Sequence, residues 1–176
     1  MRTLKITLAT ALVFILTASA WAGVMGDDKF QMETEKEKEA VKLVRDTARG
    51  GYDLVSTEEV KTLLDKKEPM VLVDTMPFED SFKKEHVPGA VNFLFPIPDM
   101  AAWDAKETAG KAETDYTTLL GPDKGKLIVV YCGFVKCTRS HNAAVWAKKL
   151  GYTNVKRYPG GIFAWKGAAF PVEAAK

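Results

Sequence analysis

Two cysteines, Cys132 and Cys137, share the stretch YCGFVKCTRSHNAA (131–144) with Lys136, Arg139 and Ser140. Cys132 follows directly on LIVVY (127–131), an uncharged run rich in β-branched residues that reads as a buried strand. A helix is expected to begin near Arg139 or Ser140. Residues 132–138 are then a strand-to-helix loop at the carboxyl end of a parallel sheet, where open α/β sheets bind their ligands. The free N–H groups and positive dipole end at a helix start stabilise an anion. A thiolate held there has a lowered pKa and is a nucleophile at neutral pH. Lys136 and Arg139 add positive charge, to steady that thiolate or to bind an anionic substrate. Two other readings stand beside a reactive Cys132. The cysteines can form a disulfide in an oxidising compartment, although so short a loop gains little entropic stability from closure. Alternatively, Cys137 serves as a resolving or protecting thiol.

The elements that must position this loop alternate along the chain. YDLV (52–55), MVLVD (70–74), AVNF (90–93), LIVVY and NVKRY (154–158) read as five strands. Between them TEEVKTLL (57–64), FEDSFKKE (78–85), a segment at 113–120 and SHNAAVWAKKLG (140–151) read as helices, and IFAWKG (162–167) as a final one. Ser56 with Glu59 forms a capping box, and Gly151 is a helix stop. Strands separated by helices predict an α/β fold, a mainly parallel five-stranded sheet with helices on both faces. The connection from Leu94 to Lys126 is long, and FPIPDM (95–100) carries two prolines that block regular structure, so it is expected to form a rim over a site. Phe134 and Val135, apolar in a loop, line its mouth. His86 is expected to be structural and His141 to lie at the surface, while Trp103 and Trp165 pack in core or rim.

The chain has 176 residues, 47% of them hydrophobic, enough for one domain with a real core. Its start, MRTLKITLATALVFILTASAWAG, places Arg2 and Lys5 before an apolar run and then Ala20-Trp21-Ala22. That pattern predicts a cleaved secretory signal peptide, residues 1–22, and a periplasmic protein. The cut removes two of the 25 Lys and Arg residues and leaves Asp and Glu at 23, so the mature net charge is near zero. Nothing in that balance points to nucleic acid, and two histidines far apart, with no Cys/His spacing, predict no metal. No cofactor is implied. Residues 23–32 read as a loose start to a charged N-terminal extension (23–51). Its helix, ETEKEKEAVKLVRDTARGG (33–51), has a sparse apolar stripe that can pack on the main domain or on a second copy, as a homodimer contact.

From Tyr52 to Val172 the chain resembles single-domain rhodaneses, a family of sulfurtransferases. The resemblance rests on VLVDT, EHVPGAVNF, VVYC, RSHNAA, LGYTNV and PGGIFAW in that order, and it is nearest to exported members such as periplasmic polysulfide-sulfur transferases. It implies a rhodanese-like fold and a persulfide formed on Cys132. The backbone of Gly133, Phe134, Val135, Lys136, Cys137 and Thr138 then cradles the outer sulfur. It also implies that Arg139 is the basic residue of the loop, that Ser140 opens the following helix and that Asp74 helps to hold the loop. Two departures stand out. The family's Asp-x-Arg is here Asp74-Thr75-Met76, and Arg139 comes seven residues after Cys132, in a longer loop than usual. A wider cradle suits a bulkier donor, such as polysulfide, over thiosulfate. Cyanide, a thiol or sulfite would be the acceptor. A non-catalytic sulfur carrier that serves a membrane-bound reductase fits the same residues. So, less well, does a thiolate phosphatase or arsenate reductase, whose signature has one residue fewer between Cys and Arg.

Overall fold

A computed structural model of the chain describes residues 18–175, with side-chain surroundings from residue 28. Most of the expected signal peptide falls on residues 1–17, outside that range. Among the described residues, no helix is long and apolar enough to cross a membrane. The chain divides after Val41 into two compact units. The first contains most of α1 (Ala18–Gly50). Residues 23–32, expected to be loose, are helical. The following run is rich in Glu and Lys, good helix formers, and it adds pairs such as Lys38 with Glu35 at 2.8 Å. Gly50 ends the helix and Gly51 turns with φ +64.

In the second unit the strands are β1 (Asp53–Leu54), β2 (Met70–Asp74), β3 (Val91–Asn92), β4 (Leu127–Tyr131) and β5 (Val155–Tyr158). They form one sheet in the order β1-β5-β4-β2-β3. Every pairing is parallel, with Val130 opposite Val73 and Arg157. The helices are α2 (Thr57–Asp65), α3 (Glu113–Leu120), α4 (Arg139–Lys149) and α5 (Gly161–Gly167). FEDSFKKE forms only a π-turn over Phe78–Phe82.

The two faces of the sheet carry separate cores. Ile128 and Val130 of β4 pack with Tyr116, Leu120, Ala143, Ala144 and Trp146 of α3 and α4. Val129 and Tyr131 pack with Val60, Ile162 and Trp165 of α2 and α5. This is the period-two alternation of a strand covered on both sides. Each fully buried Val or Ile contributes about 1.5–3 kcal/mol, so β4 is the firmest anchor available to the loop that follows it.

The proline-rich connection is held from α4. With two prolines it lacks N–H donors for a ladder, so its carbonyls are met by side chains. Asn142 donates to Pro96 O and Pro98 O, both at 2.8 Å, and accepts from Met100 N–H at 3.0 Å. Trp146 Nε1 donates to Met100 O at 3.0 Å. Thr138 Oγ1 and Arg139 Nη1 donate to Ile97 O and Phe95 O.

Asp74, at the end of β2, is fully buried. One carboxylate oxygen accepts the Met76 N–H at 2.8 Å, while Oδ2 has no hydrogen-bond partner. Desolvation outweighs that bond and the neighbouring Tyr131 and His86, and raises its pKa to about 6. A carboxyl with a raised folded-state pKa disfavours the fold once ionised, so the protein loses stability as pH rises from about 4 through about 6. The loss is on the order of 2–3 kcal/mol, since each tenfold change in proton affinity corresponds to ~1.4 kcal/mol. Asp74→Asn should remove most of this slope. Urea midpoints at acidic and neutral pH would check it, and an unchanged wild-type slope in the variant would count against the account.

Candidate active site

Cys132 leaves the end of β4 directly beneath the 133–138 loop. Its Sγ lies 3.2 Å from Cys137 O and 3.2 Å from Ser140 Oγ. The loop folds back on itself through Cys137 N–H to Phe134 O at 3.0 Å. Both thiols are free, with Cys132 fully buried and Cys137 only 8% exposed. The disulfide reading is therefore not the state seen here. Among the described residues, no cluster of His, Cys, Asp and Glu is arranged to hold a metal.

The electrostatics differ from the expectation that Cys132 itself is the low-pKa thiol. Burial pushes the Cys132 thiol well up, and the nearby Cys137 sulfur adds to the rise. Cys137 is lowered to about 6, first by the hydrogen bond from Cys132, then by the Arg139 and Gly133 N–H groups and the Arg139 charge. Of the two thiols, Cys137 is therefore the more readily ionised. The N–H groups expected to hold the sulfur of Cys132 are divided: that of Ser140 reaches Cys132, while those of Gly133 and Arg139 reach Cys137.

The support behind the two thiols rests on a residue that sequence reasoning passed over. Arg157, on β5, is 1% exposed. Its Nε donates to Ser140 Oγ at 2.9 Å, and its Nη2 donates to Cys137 O at 2.8 Å and Val135 O at 3.2 Å. Ser140 Oγ thus bridges the guanidinium and Cys132 Sγ. Behind Arg157 lie Tyr52 OH at 3.5 Å and buried Asp46 at 4.0 Å, the latter also paired with Lys42 and with Arg49 at 3.0 Å. His141, expected at the surface, is 3% exposed in this network. Its Nε2 lies 3.1 Å from Arg49 Nη2 and its Nδ1 2.8 Å from Tyr52 OH. Arg49 can only donate, so Nε2 accepts and Nδ1 carries the proton. Desolvation first, then Arg157 and Arg49 against Asp46 and Asp99, lower the His141 pKa and keep it neutral. The available signal was an arginine on the inward phase of strand VKRY, set opposite Val130.

The other expected residues are dispersed around this centre. Ser140 opens α4 and touches Cys132 directly. Arg139 ties the rim segment down through Phe95 O. The Asp74 hydrogen bond goes to its own turn, while Thr75 joins β2 to the base of the loop by donating its N–H and hydroxyl to Tyr131 O at 2.9 and 2.8 Å. Met76 fills the place of the missing arginine and lies against Gly133, which is buried. Val135 is half-buried and Lys136 exposed. Phe134 is exposed and pairs with exposed Phe163 at a 5.4 Å centroid distance. From below, Ile162 N–H and Phe163 N–H donate to Cys132 O and Gly133 O, each at 3.0 Å. That approach requires Gly161, at φ +57, where an added Cβ would lie 2.0 Å from Cys132 O.

A family model described as a rhodanese-like domain matches residues 56–168. The thiosulfate:glutathione sulfurtransferase of Saccharomyces cerevisiae is 27% identical over 114 residues, 62% of this chain and 75% of that protein. A thiosulfate sulfurtransferase from Pseudomonas aeruginosa shares the fold with a TM-score of 0.56 and 22% identity, over 78% of this chain and 23% of that one. The BH2092 protein of Bacillus halodurans does so with a TM-score of 0.55 and 21% identity, over 77% and 86%.

Proposed function

The chain belongs to the rhodanese-like family, and from that membership we propose that it is a sulfurtransferase that carries sulfane sulfur as a persulfide on Cys132. The observation that carries the reading is the pair of free, hydrogen-bonded thiols lodged under a loop whose Gly133 and Arg139 N–H groups face sulfur. In the loading step Cys132 passes its proton to the Cys137 thiolate along their shared hydrogen bond. Cys132 then attacks the sulfane sulfur of the donor. The donor S–S bond breaks and sulfite, or a shortened polysulfide, leaves. A thiol or cyanide acceptor removes the sulfur in a second displacement, which divides one difficult transfer into two.

Several features bear on the donor. The exposed Phe134–Phe163 pair, together with Met76 in place of an arginine, gives the mouth an apolar lip. Such a lip favours a sulfur chain, and polysulfide is the proposed donor, with thiosulfate a second. The N-terminal sequence supports export to the periplasm. Complete burial of Cys132 favours one further reading, a carrier that shelters its persulfide until it meets a membrane-bound reductase. The phosphatase alternative loses ground because Arg139 bonds Phe95 O and Arg157 is engaged with loop carbonyls.

The test is thiocyanate formation from cyanide with polysulfide or thiosulfate, alongside hydrolysis of an aryl phosphate. Catalytic thiocyanate production is expected. Stoichiometric loading without turnover would select the carrier, and phosphate hydrolysis alone would overturn the reading.

A pH profile checks the proton route. With the Cys137 pKa at about 6, loading should fall as pH drops through about 6. Cys137→Ser removes the proton acceptor, so loading near neutrality should fall by about a hundredfold, as for loss of a general base, and recover in alkaline buffer. An unshifted profile in that variant would exclude the route.

A further inference from the structure

We infer that Cys137 is also a resolving thiol, so that the loaded protein can expel its sulfur as sulfide and close a Cys132–Cys137 disulfide. The inference rests on the sulfurtransferase reading and extends it to a reductive reaction on sulfane sulfur.

The geometry carries it. The turn from Phe134 to Cys137, closed by Cys137 N–H to Phe134 O at 3.0 Å, folds the second cysteine back over the first. Cys132 Sγ donates to Cys137 O at 3.2 Å, and the Cys137 sulfur is near enough to act on the Cys132 thiol. Arg157 fixes the turn by gripping Cys137 O at 2.8 Å and Val135 O at 3.2 Å. Both thiols are buried, so an external thiol reaches a persulfide on Cys132 less readily than Cys137 does. The Gly133 and Arg139 N–H groups that would cradle an outer sulfur already face Cys137. A sulfur arriving on Cys132 therefore competes with Cys137 for the same donors, which favours its departure.

The step balances without an outside oxidant. Cys137 passes the proton it took up during loading to the outer sulfur, and the resulting thiolate attacks the inner sulfur of the Cys132 persulfide. The bond between inner and outer sulfur breaks, and the outer sulfur leaves with the electron pair as hydrosulfide. One sulfane sulfur is reduced to sulfide while two cysteines are oxidised to a disulfide. A dithiol, or two equivalents of a monothiol, then reduces the disulfide and resets the protein.

The experiment is an anaerobic single turnover with limiting thiosulfate, repeated with inorganic polysulfide. Sulfite, sulfide and intact protein mass are followed in wild type, Cys137→Ser and Cys132→Ser. Cys137→Ser is loaded in alkaline buffer. Wild type should release one sulfide for each sulfite and end two hydrogens lighter. Cys137→Ser should release sulfite with at least about tenfold less sulfide and end heavier by one sulfur. A wild type that keeps the added sulfur and yields no sulfide overturns the resolving role while leaving the sulfurtransferase reading intact. Equal sulfide release by Cys137→Ser overturns it as well. Neither sulfite nor a sulfur adduct with either donor removes the premise and the inference together. The wild-type sulfide-to-sulfite ratio decides the matter even should the variant fail to fold.

Discussion

Cys132→Ser is expected to abolish sulfur loading and to reduce thiocyanate formation by at least about a thousandfold, with the fold intact. A serine hydroxyl is nearly isosteric with the thiol and can keep the bonds to Ser140 Oγ and Cys137 O. Stability should therefore change by only about 1 kcal/mol, as for a hydrogen-bonded polar replacement. Reactivity is another matter, because a hydroxyl is far less acidic than a thiol and the remaining base, Cys137, cannot ionise it. The variant also reports on its neighbour. The largest influence holding Cys137 low is the hydrogen bond from Cys132, so the pH dependence of Cys137 alkylation should shift upward. Intact mass after incubation with polysulfide checks the main claim. A sulfur adduct on the variant would mean that Cys137 is the primary nucleophile and that the two roles are exchanged.

The scaffold was far more legible in the sequence than the chemistry at its centre. The runs MVLVD and LIVVY announce central strands because both of their faces are covered, and the Ser56/Glu59 capping box fixes the start of α2. The place of Cys132 followed from β4 alone. What stayed hidden is long-range polar pairing. Arg157 reads as one more surface charge in a short strand until Asp46, Tyr52, Val135, Cys137 and Ser140 are brought around it. His141 likewise looks exposed in the first turn of a helix, and only the arrival of Tyr52 and Arg49 buries it. How the loop shares its N–H groups between the two sulfurs was hidden for a related reason. Spacing identifies which sulfur follows the strand, whereas the fold-back at Phe134–Cys137 decides which sulfur meets the N–H groups.

Arg157→Met should show how far the loop depends on that hidden pairing. Methionine fills similar volume but leaves Cys137 O and Val135 O without their guanidinium donors and reduces the pairing of buried Asp46. Removing one partner from a buried ion pair typically destabilises by about 3–5 kcal/mol. Here Lys42 and Arg49 still neutralise Asp46, so a loss of about 3 kcal/mol is expected, near the low end of that range. Sulfur transfer should fall by about a hundredfold, because the loop no longer holds Cys137 over Cys132 and a misplaced reacting group loses that order of rate. The two effects separate in a second variant. Adding Asp46→Asn removes the underpaired carboxylate and should restore part of the stability, measured by urea denaturation. It returns nothing to the loop carbonyls, so the rate should stay low. Arg157→Lys, a point charge without the planar fork, should recover stability better than rate. Were activity instead to rise in step with stability across these variants, Arg157 would be a packing residue and the loop would owe its shape to Gly161 and the α5 N–H groups alone.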